Sequence, residues 1–250
     1  MFVPDEGMIW FDADLKGADA QVVAWDADDE DLKLAFRSGI DVHAKNAADM
    51  LGAVFSRLSA DDPQRKRIRQ DNKRAVHATN YIGSARAVAA ALGWTVHEAE
   101  RFQQRWFSIH PKIREWHRRI ERELVVNKGR IKNAFGYHRI YFDRLESVLP
   151  QAIAWIPQST VALVTIYGAI NLRKHLRLDG KPFDPLCLQV HDSLDFQLPK
   201  TRLDLLPQIR DLLHIPVPYP DPLIIPWELK MSPISWGACK SCDWEGKLIN

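Results

Sequence analysis

This chain has few cysteines, almost no excess of charge and no recognisable address segment. Three cysteines in 250 residues exclude a disulfide framework and point to a reducing compartment. A formal net charge of +2 announces no polyanionic partner, so any such site must rest on local clustering. No apolar run approaches the roughly 18 residues of a membrane span, and no membrane partner is expected. The opening MFVPDEGMIW lacks the basic n-region and apolar h-region of a secretory signal. There is no internal repeat and no low-complexity tract. These absences predict a soluble, cytoplasmic chain. What is present is ordinary globular composition, 46% hydrophobic and 26% charged, at a length that suits one large domain or two small ones.

Periodicity supplies the elements. MIWFDAD (Met8 to Asp14) alternates as a strand, with Trp10, Asp12 and Asp14 on one face and Ile9, Phe11 and Ala13 on the other. Gly17 turns the chain into a helix that begins in GADAQVVAW. A further helical stretch breaks at Ser38-Gly39 and resumes. PQRKRIRQDNKRAVHATNYIG is the most charged helix. SARAVAAALGW has a serine cap and a glycine stop, and Thr95 with Glu98 forms a capping box. The chain breaks at His110-Pro111, and the next helix ends near Gly129. KNAFGYHRIYF reads as a strand or hairpin. PQAIAWIPQSTVALVTIYGAINLRKHL is an apolar helix that Pro157 should bend or restart. CLQVHDSLDF reads as a buried hairpin with His191-Asp192 at its tip and Cys187 in its core. HIPVPYPDPLIIPW is expected to be irregular, and SWGACKSCDWEGKLIN a short solvated tail. This order predicts an α+β fold with helices inserted between parts of one sheet.

Two strand ends carry carboxylates, Asp14 and Asp192. If both strands join one sheet, the pair offers hard oxygen donors suited to Mg²⁺. Taken singly, an Asp at a turn is more often a cap than a ligand. On the basic helix, Arg69, Lys73, His77 and Tyr81 recur every four residues and make a slowly turning stripe. That stripe suits a nucleotide, with the triphosphate on Arg69 and Lys73 and the base and sugar near His77 and Tyr81. The competing reading is a solvated basic face. Cys239 and Cys242 form one CxxC without a second pair, which argues against zinc.

These segments carry a resemblance. DADLKGADAQ, RQDNKRAVHATNYIG and QVHDSLDF resemble motifs A, B and C of the family A DNA polymerases of phage type, in the family's order. PQST (Pro157 to Thr160) and SWG (Ser235 to Gly237) also recur in phage members. The resemblance implies a palm, an antiparallel sheet with flanking helices, and inserted helical fingers. The implied division is palm 1–42 and 129–237, fingers 43–128 and a C-terminal tail 238–250. It implies two Mg²⁺ ions on Asp14 and Asp192, and Asp14 rather than its rival Asp12 aligns without gaps through Asp41 to His43. Arg69 and Lys73 would hold the triphosphate, His43 would support it, and His77 would replace the aromatic ring over the nucleotide. Asp19 stands at the sugar-discriminating position, where the family carries Glu, and would pair with Tyr81. Gln158 would touch DNA, and His191 would support the turn or the primer end.

The implied activity is template-directed DNA synthesis on primer-template DNA with dNTPs, in the host cytoplasm if the chain is phage-encoded. Ser193, Ile82, Pro150 and Ala154 depart from the bacterial pattern. The chain begins just before motif A, so the thumb, the early palm and a proofreading exonuclease are expected to be absent. A thumb- and exonuclease-bearing polypeptide is then an expected partner, and the chain a fragment or split subunit. Two other readings stand beside this one: a single-subunit RNA polymerase and a non-catalytic DNA-binding remnant.

Overall fold

β1 (Met8–Leu15) realises the alternation in the sequence. Phe11, Ala13 and Leu15 are buried, while Asp12 and Asp14 lie half-exposed on the opposite face. The computed structural model describes residues 2–249. After β1 the chain is helical: α1 (Ala18–Asp26), α2 (Glu30–Arg37), α3 (Val42–Leu51), α4 (Ala53–Ser56), α5 (Pro63–Asn80), α6 (Ala85–Leu92), α7 (Val96–Ile109) and α8 (Pro111–Val126). Local chemistry sets most of these boundaries. Asp29, Asp41 and Asp62 cap α2, α3 and α5 through their carboxylates, and Pro63 occupies the first turn of α5, where no donor is needed. Ser84 starts α6 and Gly93, in the left-handed region, stops it. The Thr95–Glu98 capping box is present at α7.

β2 (Arg130–Lys132) and β3 (His138–Ile140) then form a hairpin. Gly129, at φ 82°, is required there, because a Cβ would sit 2.2 Å from the Tyr141 carbonyl oxygen. α9 (Leu145–His175) follows. Beyond it come β4 (Arg177–Leu178), β5 (Lys181–Pro182), β6 (Leu186–Val190), β7 (Ser193–Pro199), α10 (Leu206–Leu213), β8 (Pro216–Val217), β9 (Leu223–Ile224), β10 (Trp227–Ser232) and β11 (Lys240–Cys242).

The chain divides into two compact units, Met1–Ala18 with Gln158–Asn250, and Asp19–Pro157. The first is built on an antiparallel five-stranded sheet in the order β11-β10-β1-β7-β6. β1 is central, with Phe11 opposite Phe196 and the two rings stacked at 5.1 Å. The helical unit buries Phe55, Trp106, Ile113, Trp116, Ile120 and Leu124. The Trp106 indole donates to Asn80 Oδ1 at 2.9 Å, so its polar atom is satisfied inside that core.

Four expectations are corrected. α9 is one continuous helix through Pro150 and Pro157. Burial of Ile153 and Ile156, in the turn before Pro157, holds the helical path. α9 is also long and apolar enough to cross a membrane, contrary to the expectation that nothing in the chain approaches that length. Half of its most apolar window is buried inside the protein. Cys187 is exposed rather than in the core, because β6 is an edge strand whose outer face meets solvent. The Pro-rich stretch and the tail are not irregular throughout: WELKMS forms β10 beside β1, and Lys240–Cys242 pairs with β10 and buries Cys242.

Candidate functional site

The first cluster sits at one end of the sheet. Asp14 lies opposite Ser193 on β7 and Glu228 on β10. The residue before Ser193 is Asp192, the second residue of the two-residue turn between β6 and β7. The Leu15 amide donates to the Asp192 carbonyl at 3.3 Å, tying the turn to the end of β1. His191, the first turn residue, is exposed and takes φ 53°, a left-handed conformation that a tight hairpin demands and a non-glycine residue enters at some cost. The Ser193 hydroxyl closes the turn by donating to the Val190 carbonyl at 2.9 Å. β7 is thereby anchored on both sides of the carboxylate.

Electrostatics mark this end of the sheet. The Asp14 carboxyl is pushed up to about 6, first by partial burial, then by the Asp192 charge, with Asp12 and Glu228 adding and Lys230 opposing. A cation between Asp14 and Asp192 would relieve that repulsion. Two carboxylates with room for waters are the donor set that Mg²⁺ accepts, so the residues present fit the ion. Asp12 is engaged elsewhere: Lys230 Nζ lies 3.5 Å from its Oδ2.

The helical unit holds the second cluster. Arg69 makes a two-pronged contact to Asp41, Nε to Oδ2 at 2.6 Å and Nη2 to Oδ1 at 3.0 Å. The same carboxylate caps α3 by accepting from the His43 and Ala44 amides. His43 is pushed down to about 4, by burial first and then by Lys73 and Arg69, so its imidazole is neutral at pH 7. Its Nδ1 is buried without a partner. Lys73 and His77 are exposed along α5. His77 packs edge-on against Tyr81, with ring centroids 4.5 Å apart. The Tyr81 hydroxyl donates to Asp19 Oδ2 at 3.1 Å, and burial and that carboxylate push the phenol's pKa upward. His77 Nε2 lies 3.8 Å from the same oxygen.

The structure therefore brings together Asp14 with Asp192 in one unit. In the other it brings together His43, Arg69 and Lys73, and separately Asp19, His77 and Tyr81. Gln158 is exposed on α9. Sequence reasoning missed Asp41, whose DVH context was used only for alignment, and Glu228 and Lys230, which lie on a strand that it did not recognise. It also missed Asp195, opposite Asp12, which is fully buried. The Trp10 indole donates to Asp195 Oδ1 at 2.9 Å, its Oδ2 has no partner, and burial chiefly pushes its carboxyl up to about 6.

A further group of potential metal ligands, Asp29, Asp31 and His110, lies in the helical unit with donor atoms within 4.8 Å of one another. It contains neither Asp14 nor Asp192. Asp29 caps α2 through Leu32 and faces His110 Nδ1 at 3.1 Å, and Asp31 is paired with Lys45 at 2.6 Å. Each ligand is already engaged, and the group joins α2, α3 and the α7–α8 junction. The Cys239 and Cys242 thiols are pushed up to about 11 and about 12, chiefly by burial, so both stay protonated at pH 7 in the metal-free chain.

Comparison with known proteins places this arrangement. "DNA polymerase I, thermostable" of Thermus filiformis is 32% identical over 212 residues, covering 81% of this chain and 24% of that protein. "DNA polymerase" of Mycobacterium phage D29 is 26% identical over 244 residues, covering 97% of this chain and 37% of the phage protein. The chain thus spans about a quarter to two-fifths of the length of these relatives. Among solved structures, the POL domain of Pol1 from M. smegmatis, in complex with DNA primer-template and dNTP, superposes with a TM-score of 0.79 at 21% identity. That match covers 95% of this chain and 41% of the other, and it establishes a shared fold. The family model for DNA polymerase family A matches residues 1–215, and the chain belongs to that family.

Proposed function

We propose that the chain carries out template-directed DNA synthesis, adding a dNMP unit to a primer 3′-hydroxyl, with primer-template DNA and dNTPs as partners and two Mg²⁺ ions as cofactor. The observation that carries this reading is the sheet end where the Leu15 amide ties the Asp192 turn to β1, and where burial and the Asp192 charge push the Asp14 carboxyl up to about 6. Bound there, the ions would supply the charge that stabilises the attacking and leaving oxygens of an in-line displacement. The rest is positioning by the chain's own residues. Asp14 and Asp192 hold the cations. Lys73 and Arg69 neutralise the triphosphate, and Arg69 exchanges its Asp41 partner for phosphate oxygens. His43, uncharged, offers hydrogen bonds beside them without adding charge. His77 and Tyr81 present ring faces to the base and sugar, and Gln158 and His191 contact DNA. In this reading the palm is 1–42 with 129–237 and the fingers 43–128; the sheet-based unit falls within that palm and the C-terminal tail, and the helical unit contains those fingers.

The Tyr81–Asp19 hydrogen bond favours the deoxy reading over an RNA polymerase, since it fixes a carboxylate at the sugar-discriminating position that the family resemblance assigns. Mg²⁺-dependent binding of dATP and ATP, followed by extension of a labelled primer-template, tests the proposal. The native chain should bind dATP in preference to ATP and only with Mg²⁺, and Asp14→Ala and Asp192→Ala should abolish addition without unfolding the protein. Binding indifferent to metal and to both substitutions would instead identify a non-catalytic DNA-binding chain.

A further inference from the structure

α3, α5 and α7 border a cavity of about 560 Å³, within the roughly 300–1,000 Å³ range of small-molecule sites. Its wall is apolar: Met50, Leu51, Val54, Ile68, Trp94 and Phe102 line it. The Trp94 and Phe102 rings lie 5.5 Å apart at a 50° tilt, so two aromatic surfaces meet there. Among the polar residues of the wall, one is a buried neutral amide. Asn72 also lines the cavity; it is 3% exposed, and its Oδ1 has no hydrogen-bond partner. An amide oxygen left unpaired in such surroundings is a standing penalty that a donor on a bound molecule removes.

Charge at the cavity is unevenly committed. Asp71, Glu98, Arg101 and Arg105 also line it. The Glu98 carboxylate is held by the Thr95 amide and hydroxyl, both at 2.8 Å. Asp71 faces Arg67 at 3.7 Å. Arg105 gives one N–H to the Asp49 carbonyl at 2.8 Å and has four more to offer. The carboxylates are turned to partners within the protein, Glu98 towards Thr95 and the nearby Arg101 charge, and the spare Arg105 donors set the preference for an anion.

We propose that this cavity is a binding site for a planar aromatic anion that carries an N–H or O–H donor. The rings lie against Trp94 and Phe102, the donor meets Asn72 Oδ1, and the anionic group meets Arg101 and Arg105. None of the nucleotide-site residues lines the cavity, so this site stands whether or not the chain polymerises DNA.

The test uses the whole chain and 1-anilinonaphthalene-8-sulfonate, which combines fused rings, a secondary amine N–H and a sulfonate. Naphthalene-1-sulfonate, which lacks the donor, is the control, and calorimetry reads both. Saturable 1:1 binding of the anilino compound is expected. Asn72→Leu should weaken it by about five- to tenfold, the worth of one hydrogen bond, and leave naphthalene-1-sulfonate unchanged. Val54 is 65% exposed at the cavity, so Val54→Trp should leave the fold intact, fill the space and abolish binding of both compounds. Should Asn72→Leu fail to fold, Val54→Trp decides alone. No saturable binding by the native chain, or binding untouched by Val54→Trp, would overturn the site. Equal losses for both compounds in Asn72→Leu would overturn the donor requirement.

Discussion

Asp14→Asn should make the metal-free protein more stable, and the gain should depend on pH in a set direction. Burial and the Asp192 charge push the native carboxyl up to about 6 in the folded chain, from an ordinary value of 3.8. Its folded-state pKa is raised, so the folded chain holds the proton more tightly than the unfolded chain between those values. Stability contributed by that proton is fully present below about pH 4 and is lost as pH rises through 6. About two units at ~1.4 kcal/mol each would give roughly 3 kcal/mol. Asp14 is half-exposed, and solvent screening reduces this to about 1–1.5 kcal/mol. Asn keeps the shape and never ionises, so it escapes the loss. For a chain of this size the gain corresponds to ~3–5 °C in Tm. Thermal melts by circular dichroism in EDTA should show matching curves for native and variant near pH 4 and a gap that opens up to pH 7. Adding millimolar Mg²⁺ should then raise the native Tm and leave the variant unmoved, because only the native pair binds the ion. A variant that melts no higher than native at pH 7 in EDTA, or a gap that does not change with pH, would refute the account of crowded carboxylates.

Three further outcomes are expected. Lys73→Ala should weaken dNTP binding about 10- to 150-fold, the loss of one charge-assisted contact of ~1.5–3 kcal/mol, while primer-template affinity measured by anisotropy changes little. Tyr81→Phe removes the hydrogen bond to Asp19 and should reduce discrimination between dATP and ATP by about two- to tenfold, read from competitive incorporation. Trp10→Phe leaves the buried Asp195 carboxyl without its donor and should cost about 1–3 kcal/mol in urea unfolding. The double change Trp10→Phe with Asp195→Leu should recover most of that loss, because no polar atom is then stranded.

The elements that carry the candidate site were legible because their signals are local. Alternation in MIWFDAD, the four-residue spacing from Arg69 to Tyr81 and the capping pair Thr95 and Glu98 each declare themselves within one or two turns of chain. β10 was not read, although WELKMS alternates as well as β1 does. Pro226 and Pro233 at its ends made the whole stretch look irregular, and only pairing with β1, more than 200 residues earlier, gives it a role. The restart expected at Pro157 failed in the same way: a strong local stop is overridden by burial that no window of sequence contains. Asp41 was visible as a residue but not as the partner of Arg69, since a contact across 28 positions leaves no periodic trace. Asp195 sits in the midst of a recognised segment, yet its complete burial depends on what covers that face of the sheet.

The contact between Arg69 and Asp41 changes what anion capture at α5 means. A guanidinium that is already neutralised does not gain a first partner when a phosphate arrives; it trades one for another. The release of Asp41 belongs to the free energy of binding, and so does whatever Asp41 does next, since the same carboxylate also holds the first turn of α3. Nucleotide affinity at this position is therefore a difference between two ion pairs. Its dependence on ionic strength should be shallower than that of an unpaired arginine, because salt weakens both sides of the exchange. Lys73, with no such rival in contact among the described residues, would set the salt dependence of the pair. Removing Asp41 would both free Arg69 for phosphate and loosen the start of α3, so one carboxylate couples anion affinity to the integrity of a helix.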